Sequence, residues 1–528
     1  MSKQTSLTNL ERVLQASAFD FVRTVAAIPD AEIFLVGGAV RDSLLRRETK
    51  DYDFVVRGVS SADLQMHLET LGTVNLVGRS FGVYKFVPRT GTEPIEAFEP
   101  FDIALPRTEH SLTLSGGYKD FDVQSDSKLP IEEDLKRRDF TVNAIAIKLE
   151  TPRPRQGEAA GGRNSKLKVG DVIDPSGGLK DLEKKILRAV GEPEKRFQED
   201  YLRILRGLRF ACQLGFEIEE STKMAMKKLA THLNDQKDAS KNDSWVVPRE
   251  TIGREVVKMF VADPSKAFHF FEQGLFEILM PEMLKGIGCP QPPNWHTEGD
   301  VFDHARLSMK VLREKEFMKE FPELAFDAEV VFGTLFHDIG KPYTVQTPEK
   351  DGTDRIRFSN HDIEGAKIAK EIVERLKLSV FPKESPLHVD AETMVWIIEK
   401  HLVPVKEKVD QMKKTTFEKY FFSERYPSVK LLAVSLADEL STIHDTGKPD
   451  TSNYYYVREK MQEMAKAGLG KVKPPKPIIT GEDVIQILHI TPGPRIGEIL
   501  SMVREDQLNG RLKTREEALV YLEELKGK

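Results

Sequence analysis

The sequence predicts an α+β protein, with an N-terminal α/β head followed by an all-helical remainder. Three observations carry this prediction. From residue 31 to about residue 150, short β-prone runs alternate with amphipathic helical stretches. Beyond residue 169 the apolar residues recur at helical spacing instead, as in Leu202, Leu205 and Leu208. The 528 residues are also enough for several domains of roughly 100–200 residues each. With 40% hydrophobic and 31% charged residues, the composition suits a soluble globular protein.

The first element, Ser6 to Ile28, reads as one amphipathic helix with Leu7, Leu10, Val13 and Leu14 on a face. Its acidic Glu11 and Asp20 argue against a transit peptide, and the basic-then-apolar form of a signal peptide is missing. No run of about 18 apolar residues marks a membrane span. Two cysteines, Cys212 and Cys289, are too few for a disulfide framework or a thiolate zinc site. Together these features lead us to expect a cytoplasmic protein. A net charge of −6 argues against non-specific coating of nucleic acid, yet is compatible with one local basic groove.

The next stretch, LVGGAVRDSLLRRETKDYDFVV (35–56), reads as strand, glycine turn, helix start and second strand. Gly37-Gly38 allows a sharp turn whose N–H groups are open to an anion. Arg41 and Asp42 follow in the first helical turn. Asp51 and Asp53 alternate along the second strand, so their carboxylates point to one side. Such a pair suits a divalent metal facing a triphosphate. By itself a D-x-D is more often the polar end of a hairpin. GGAVRD followed by KDYDFVV, however, resembles the head signature of the class II nucleotidyltransferases, the family of tRNA CCA-adding enzymes and bacterial poly(A) polymerases. The resemblance implies a polymerase beta-like head with Asp51 and Asp53 as catalytic Mg²⁺ ligands. It also implies Gly37, Gly38, Arg41 and Asp42 at the nucleotide.

Residues 59–72 read as a helix and residues 73–88 as strand-rich. Glu96, Asp102 and Arg107 then fall near one strand, where the family has room for a further carboxylate. DLKRRDFTVNAIAI (134–147) resembles the family's RRDxxxNA motif through Arg137-Arg138-Asp139 and Asn143-Ala144. Arginine supplies charge-assisted contacts to phosphate, and an aspartate can accept from a ribose 2′-hydroxyl. A salt-bridged helix start capped by Asp139 is the plainer reading. Residues 151–168 form a Pro/Gly-rich basic insertion. DPSGGLKDLEKKIL (174–187) matches the family's DPxGGxxDL, a turn leading into a helix near Leu179.

EDYLRILRGLRFACQLGF (199–216) places Asp200 and Arg203 three apart, as neighbours on a helix surface, with Arg206 and Arg209 continuing around it. The resemblance makes this the base-reading helix. A carboxylate accepts from the amino group of cytosine or adenine, and an arginine donates to ring acceptors. An ordinary intrahelical ion pair is the alternative. VVPRETIGREVVKMF (246–260) matches the family weakly. Glu250 and Glu255 are kept, but Pro248 and Thr251 replace the expected Ser and Arg, so this helix is left outside the expected site.

Six of the twelve histidines fall between 296 and 401. His304, His337-Asp338, His361, His401 and Asp438 resemble the HD phosphohydrolase pattern, in which imidazoles and carboxylates from several helices hold one or two divalent ions. Lys341 adds charge for a phosphate. The last segment, 477–519, resembles the family's helical tail, with Pro492-Gly493-Pro494 as a turn between helices. Basic clusters at 405–414 and in the tail suit the acceptor arm of tRNA.

The resemblance thus implies a nucleotidyltransferase head over 1–150, the insertion at 151–168 and a helical neck and body over 169–295. An HD domain over 296–446 and a tail over 447–528 complete an elongated all-α remainder. The expected activity is template-independent addition and repair of the 3′-terminal CCA of tRNA from CTP and ATP. It would use Mg²⁺ at the head, and Mg²⁺, Mn²⁺ or Ni²⁺ at an HD phosphatase or cyclic phosphodiesterase site. The tRNA acceptor end is the expected partner; monomer and homodimer are both compatible with the motifs. Alternatives are a poly(A) polymerase, an A-adding or CC-adding enzyme, or an HD phosphohydrolase whose head only binds RNA or nucleotide.

Overall fold

The computed structural model describes residues 3–77, 83–90, 93–94, 100–111, 121–151, 166–238, 244–405, 409–422, 427–466 and 476–526. Glu96, most of the insertion (152–165), residues 406–408 of the basic cluster and residues 471–475, in the Lys/Pro-rich linker KVKPPKP (471–477) before the tail, lie outside them. The chain divides into two compact units, Met1–Glu255 and Val256–Lys528. Among the described residues, no helix is long and apolar enough to cross a membrane.

The first unit is built on a mixed sheet of β1 (Glu32–Val36), β2 (Asp53–Arg57), β3 (Gly72–Val77), β4 (Val83–Thr90), β5 (Phe101–Ala104), β6 (Ala146–Glu150) and β7 (Lys168–Ile173). Their spatial order is β7-β6-β1-β2-β5-β4-β3, and a two-residue strand, Glu93–Pro94, pairs with β4. β1 and β2 are antiparallel, whereas β2 and β5 are parallel. Both faces are covered, which explains why β1 and β2 read as nearly continuous apolar runs. Phe34, Val36 and Val55 pack against Ile131 and Leu135 on one face. Phe54 and Phe101 meet Phe19 and Phe21 on the other.

The N-terminal helix is shorter than expected. It runs Lys3–Val13, and a 3₁₀ turn (Ser17–Phe19) and a second helix (Asp20–Val25) follow. Ala16 is extended at the break, where the Gln15 amide donates to Glu11 O and Leu167 O. Leu10 and Leu14 face inward, while Val13 is exposed.

Eight helices carry or neighbour candidate site residues: α1 (Gly38–Leu45), α2 (Leu202–Leu214), α3 (Arg249–Ala262), α4 (Val301–Val311), α5 (Ala328–Phe336), α6 (His361–Arg375), α7 (Ala391–Lys400) and α8 (Ser428–Ser441). α4 to α8 belong to the second unit, which is predominantly helical. Its last three helices, Gly481–Leu488, Pro494–Leu508 and Arg515–Lys526, close a small core of Val484, Val503, Ala518 and Leu522. Thr480 caps the first of them, and Pro494 opens the second after the expected turn.

Candidate active sites

The glycine turn forms as expected, but its two glycines do different things. Gly37 has φ +71°, and a Cβ there would lie 2.6 Å from Arg138 Nη1. Its N–H is not open to an anion, because it donates to Ile145 O at 3.2 Å. Gly38 is the first residue of α1, where backbone N–H groups lack intrahelical acceptors.

Asp53 opens β2, and Asp51 precedes the strand as an exposed residue. Strand alternation therefore does not align the two carboxylates, contrary to the expectation. Proximity does bring them together, since the charge of Asp51 acts on Asp53. The sheet supplies a third carboxylate. Asp53 and Asp102 are register partners across the parallel β2–β5 pair, so their side chains lie side by side on one face. Lys85, the register partner of Asp102 on β4, lies 2.8 Å from Asp102 Oδ1. Burial, then the charges of Asp51 and Asp102, push Asp53 up to about 6; Arg138 and Lys85 act in the opposite direction. A cluster of carboxylates in mutual repulsion fits a divalent cation.

Beside it runs one polar chain. The Arg41 guanidinium donates to both Asp42 oxygens, at 2.9 and 2.8 Å, and to Asn143 Oδ1 at 2.6 Å. Asn143 Nδ2 donates to Asp139 Oδ1 at 3.2 Å. Arg206 meets Asp139 Oδ2 through Nε at 3.0 Å and Nη2 at 2.6 Å. With the Phe140 N–H at 2.8 Å, Asp139 accepts four hydrogen bonds, about the capacity of a carboxylate. Asp139 does not start a helix. The preceding helix, Ile131–Lys136, ends just before it, and a 3₁₀ turn, Thr141–Asn143, follows.

Asp200 is likewise off the helix. It is extended (φ −153°) ahead of α2, and its Oδ1 accepts from Leu202 N at 2.9 Å. Burial raises its pKa, against the lowering charge of Arg203. Arg203 donates to Glu199 Oε2 at 2.5 Å and to Arg196 O at 3.1 Å. Arg209 donates to Glu255 Oε2 at 2.5 Å, so α3, left outside the expected site on sequence, braces α2. Phe210, also missed, has the guanidinium groups of Arg41, Arg206 and Arg209 over its ring, at 5.2, 5.7 and 4.0 Å from the centroid.

In the second unit, His304 (α4), His337 and Asp338 (just after α5), His361 (start of α6), His401 (just after α7) and Asp438 (α8) converge. Gly340 lets the turn after α5 approach α6 closely, since a Cβ there would lie 2.1 Å from His361 O. Three Nδ1 atoms face backbone carbonyls: His337 to Thr334 O at 2.8 Å, His361 to Phe358 O at 2.8 Å and His401 to Ile398 O at 2.6 Å. A carbonyl only accepts, so these Nδ1 atoms carry protons, and a ring in its neutral form presents a bare Nε2 lone pair. His304 Nδ1 faces Glu298 Oε1 at 2.9 Å. The Nε2 atoms of His304 and His337 lie 3.2 Å apart, and those of His361 and His401 3.4 Å apart. Facing lone pairs repel unless a cation or a proton lies between them. Ligands about 2.1 Å from a shared ion are themselves roughly 3.0–3.4 Å apart, so the donor set fits divalent metal.

Asp338 lies between the two histidine pairs. Its Oδ2 is 3.3 Å from His337 Nε2, and its Oδ1 is 3.5 Å from His361 Nε2. Asp438 Oδ1 is 3.2 Å from His304 Nε2. Lys341 Nζ is 2.6 Å from Asp338 Oδ2, an ion pair lying off hydrogen-bonding geometry, and donates to Gln291 Oε1 at 2.9 Å. Burial opposes charge on every ring. The carboxylates of Asp338 and Asp438 nevertheless raise His337, whereas burial pushes His401 down to about 4.

Three family models match consecutive parts of the chain: a poly A polymerase head domain over residues 33–188, an HD domain over 301–443 and a tRNA nucleotidyltransferase domain 2 over 456–522. A multifunctional CCA protein of Stenotrophomonas maltophilia is 34% identical over 354 residues, 66% of this chain and 72% of that protein. The chain belongs to the class II CCA-adding enzyme and poly(A) polymerase family. A multifunctional CCA protein of Nitrosospira multiformis is 30% identical, covering 65% of this chain and 68% of the relative. An A-adding tRNA nucleotidyltransferase of Deinococcus radiodurans is 28% identical, covering 74% and 79%. The fold agrees with that family. The Bacillus stearothermophilus CCA-adding enzyme in complex with CTP superposes with a TM-score of 0.52 at 20% identity, covering 96% of this chain and 98% of that one. For the Thermotoga maritima CCA-adding enzyme complexed with tRNA the TM-score is 0.54 at 18% identity, with 98% and 97% covered. The chain is therefore a family nucleotidyltransferase that also carries an HD domain with a buried His/Asp cluster.

Proposed function

We propose that this protein adds and repairs the 3′-terminal CCA of tRNA using CTP and ATP, and that its HD site hydrolyses phosphate esters at tRNA ends. The observation that carries the first reading is the clustering of Asp51, Asp53 and Asp102 beside Arg138 and the α1 N-terminus. Asp51 and Asp53 are the catalytic Mg²⁺ ligands in this reading, and Asp102 is the third carboxylate. Gly37 makes room for Arg138. Gly38 and Arg41 bind the triphosphate, and Asp42 and Asn143 hold Arg41 in place. Asp200 and Arg203 read the base, with Arg206 and Arg209 held near by Asp139 and Glu255. A ribose hydroxyl that reaches Asp139 competes with the four donors already on its carboxylate, two of which come from Arg206.

At the HD site, His304, His337, Asp338, His361, His401 and Asp438 would hold divalent metal, with Asp338 lying between the two histidine pairs. Lys341, paired with Asp338, supplies positive charge for the substrate phosphate. Bound divalent ions would neutralise the triphosphate at the head and activate water at the HD site.

One observation favours a second reading within the family. The A-adding relative is matched over 79% of its length. Extension of tRNA transcripts ending before CCA or after CC, with CTP and ATP supplied singly and together, separates the two. Uptake of C, C and then A supports the CCA reading; addition only of A to the CC-ended transcript supports the other.

A further inference from the structure

The four histidines of the HD cluster share one design, but His304 differs in a way that sets it apart. Three rings are oriented by neutral carbonyls, each three residues upstream. His304 is oriented by a carboxylate. Glu298 Oε1 lies 2.9 Å from His304 Nδ1 and 2.6 Å from His296 Nδ1, while Oε2 accepts from Ile443 N at 3.0 Å. The Glu298 side chain is only 5% exposed, and that of His304 is fully buried. A hydrogen bond to a buried carboxylate pulls the Nδ1 proton more strongly than one to a carbonyl, which makes Nε2 the better electron donor.

We propose that Glu298 is a positioning residue that fixes His304 and strengthens it as a ligand, so that the two ends of the HD cluster hold metal unequally. The inference rests on the metal reading of the HD site. The His304, His337 and Asp438 end is the tighter one, and the Asp338, His361 and His401 end is the weaker. His296, Glu298 and His304 could also be taken for an ion site of their own. That would require His304 to ligate through both nitrogens, although its Nε2 already faces His337 and Asp438 at 3.2 Å. His296 instead completes the shell of donors that holds the Glu298 carboxylate in position.

The test is Co²⁺ binding to the full-length protein, by competition with a chromogenic chelator and by the visible Co²⁺ spectrum. All variants carry Asp53→Ala, to weaken binding at the head. In a background of His361→Ala, Glu298→Ala should weaken Co²⁺ about 10–100-fold, and Glu298→Gln, which keeps an acceptor but not the charge, less. In a background of His304→Ala, Glu298→Ala should change nothing, because its effect runs through that ring. Equal losses in both backgrounds would mean that Glu298 only supports the helices around it, and would overturn the proposal, as would no loss in either. Failure of the parent and the His304→Ala variant to differ would overturn the metal reading itself, and this inference with it.

Discussion

Replacing Asp53 by asparagine is expected to stabilise the ion-free head while ending nucleotidyl transfer. Burial first, then the charges of Asp51 and Asp102, hold the Asp53 carboxyl at about 6, against an ordinary value of 3.8. As pH rises, the unfolded chain loses this proton first. Between about pH 4 and pH 6 the folded state keeps the extra proton, so stability falls with rising pH; above about 6 the penalty is constant. At about 1.4 kcal/mol per pH unit the penalty is about 3 kcal/mol, and the remaining solvent access of Asp53 reduces it to about 2 kcal/mol. The asparagine side chain carries no charge and escapes it. Hydrogen exchange of peptides covering β1 and β2, in EDTA, reads this locally. At pH 7.5 protection in Asp53→Asn should rise about 30-fold for 2 kcal/mol, and at pH 4.5 the gain should shrink to a few-fold. Lower protection in Asp53→Asn at pH 7.5, or a gain independent of pH, would refute the electrostatic account.

Three further outcomes follow from the same geometry. Glu255→Ala leaves Arg209 without its buried carboxylate, with both side chains about 90% buried. It should cost about 3–5 kcal/mol in urea unfolding, and a smaller loss for Arg209→Ala/Glu255→Ala together than for the sum of the two would show the pairing. Asn143→Ala removes the bridge between Arg41 and Asp139; kcat/KM for nucleotide should drop by about 1–3 kcal/mol, or roughly 5–150-fold. His337→Ala should lower HD metal content by disabling the tighter end, measured by mass spectrometry of the purified protein, and leave nucleotide incorporation within about two-fold.

Local chemistry was legible in the sequence, and long-range register was not. The strand–glycine turn–helix–strand unit around Gly37 is written in contiguous residues, and it formed. The residues of the HD cluster were legible because each lies in its own short motif on or beside a helix. Asp102 was one of two candidate carboxylates, with Glu96, near a strand. Only the β2–β5 register, which joins residues about fifty apart, places it beside Asp53. Glu255 and Phe210 gain their roles from tertiary contacts that no spacing encodes. Where helical periodicity was extended too far, local bonding prevailed. Asp200 is extended ahead of α2 and accepts from Leu202 N, and Asp139 follows a helix end because its carboxylate collects four donors. Glu298 had a weak signal, a carboxylate two residues from His296 and six from His304, but nothing in that spacing says whether it binds metal or a ligand's back edge.

The most direct test of the whole account is extension of a tRNA transcript that ends before CCA, compared with one ending in a 2′,3′-cyclic phosphate, with CTP and ATP both present. The first should gain C, C and A and then stop. The second should be extended in the same way by the intact protein, but not by His337→Ala. Long tails of A on unrelated RNA, or no nucleotide addition at all by the intact protein, would contradict it.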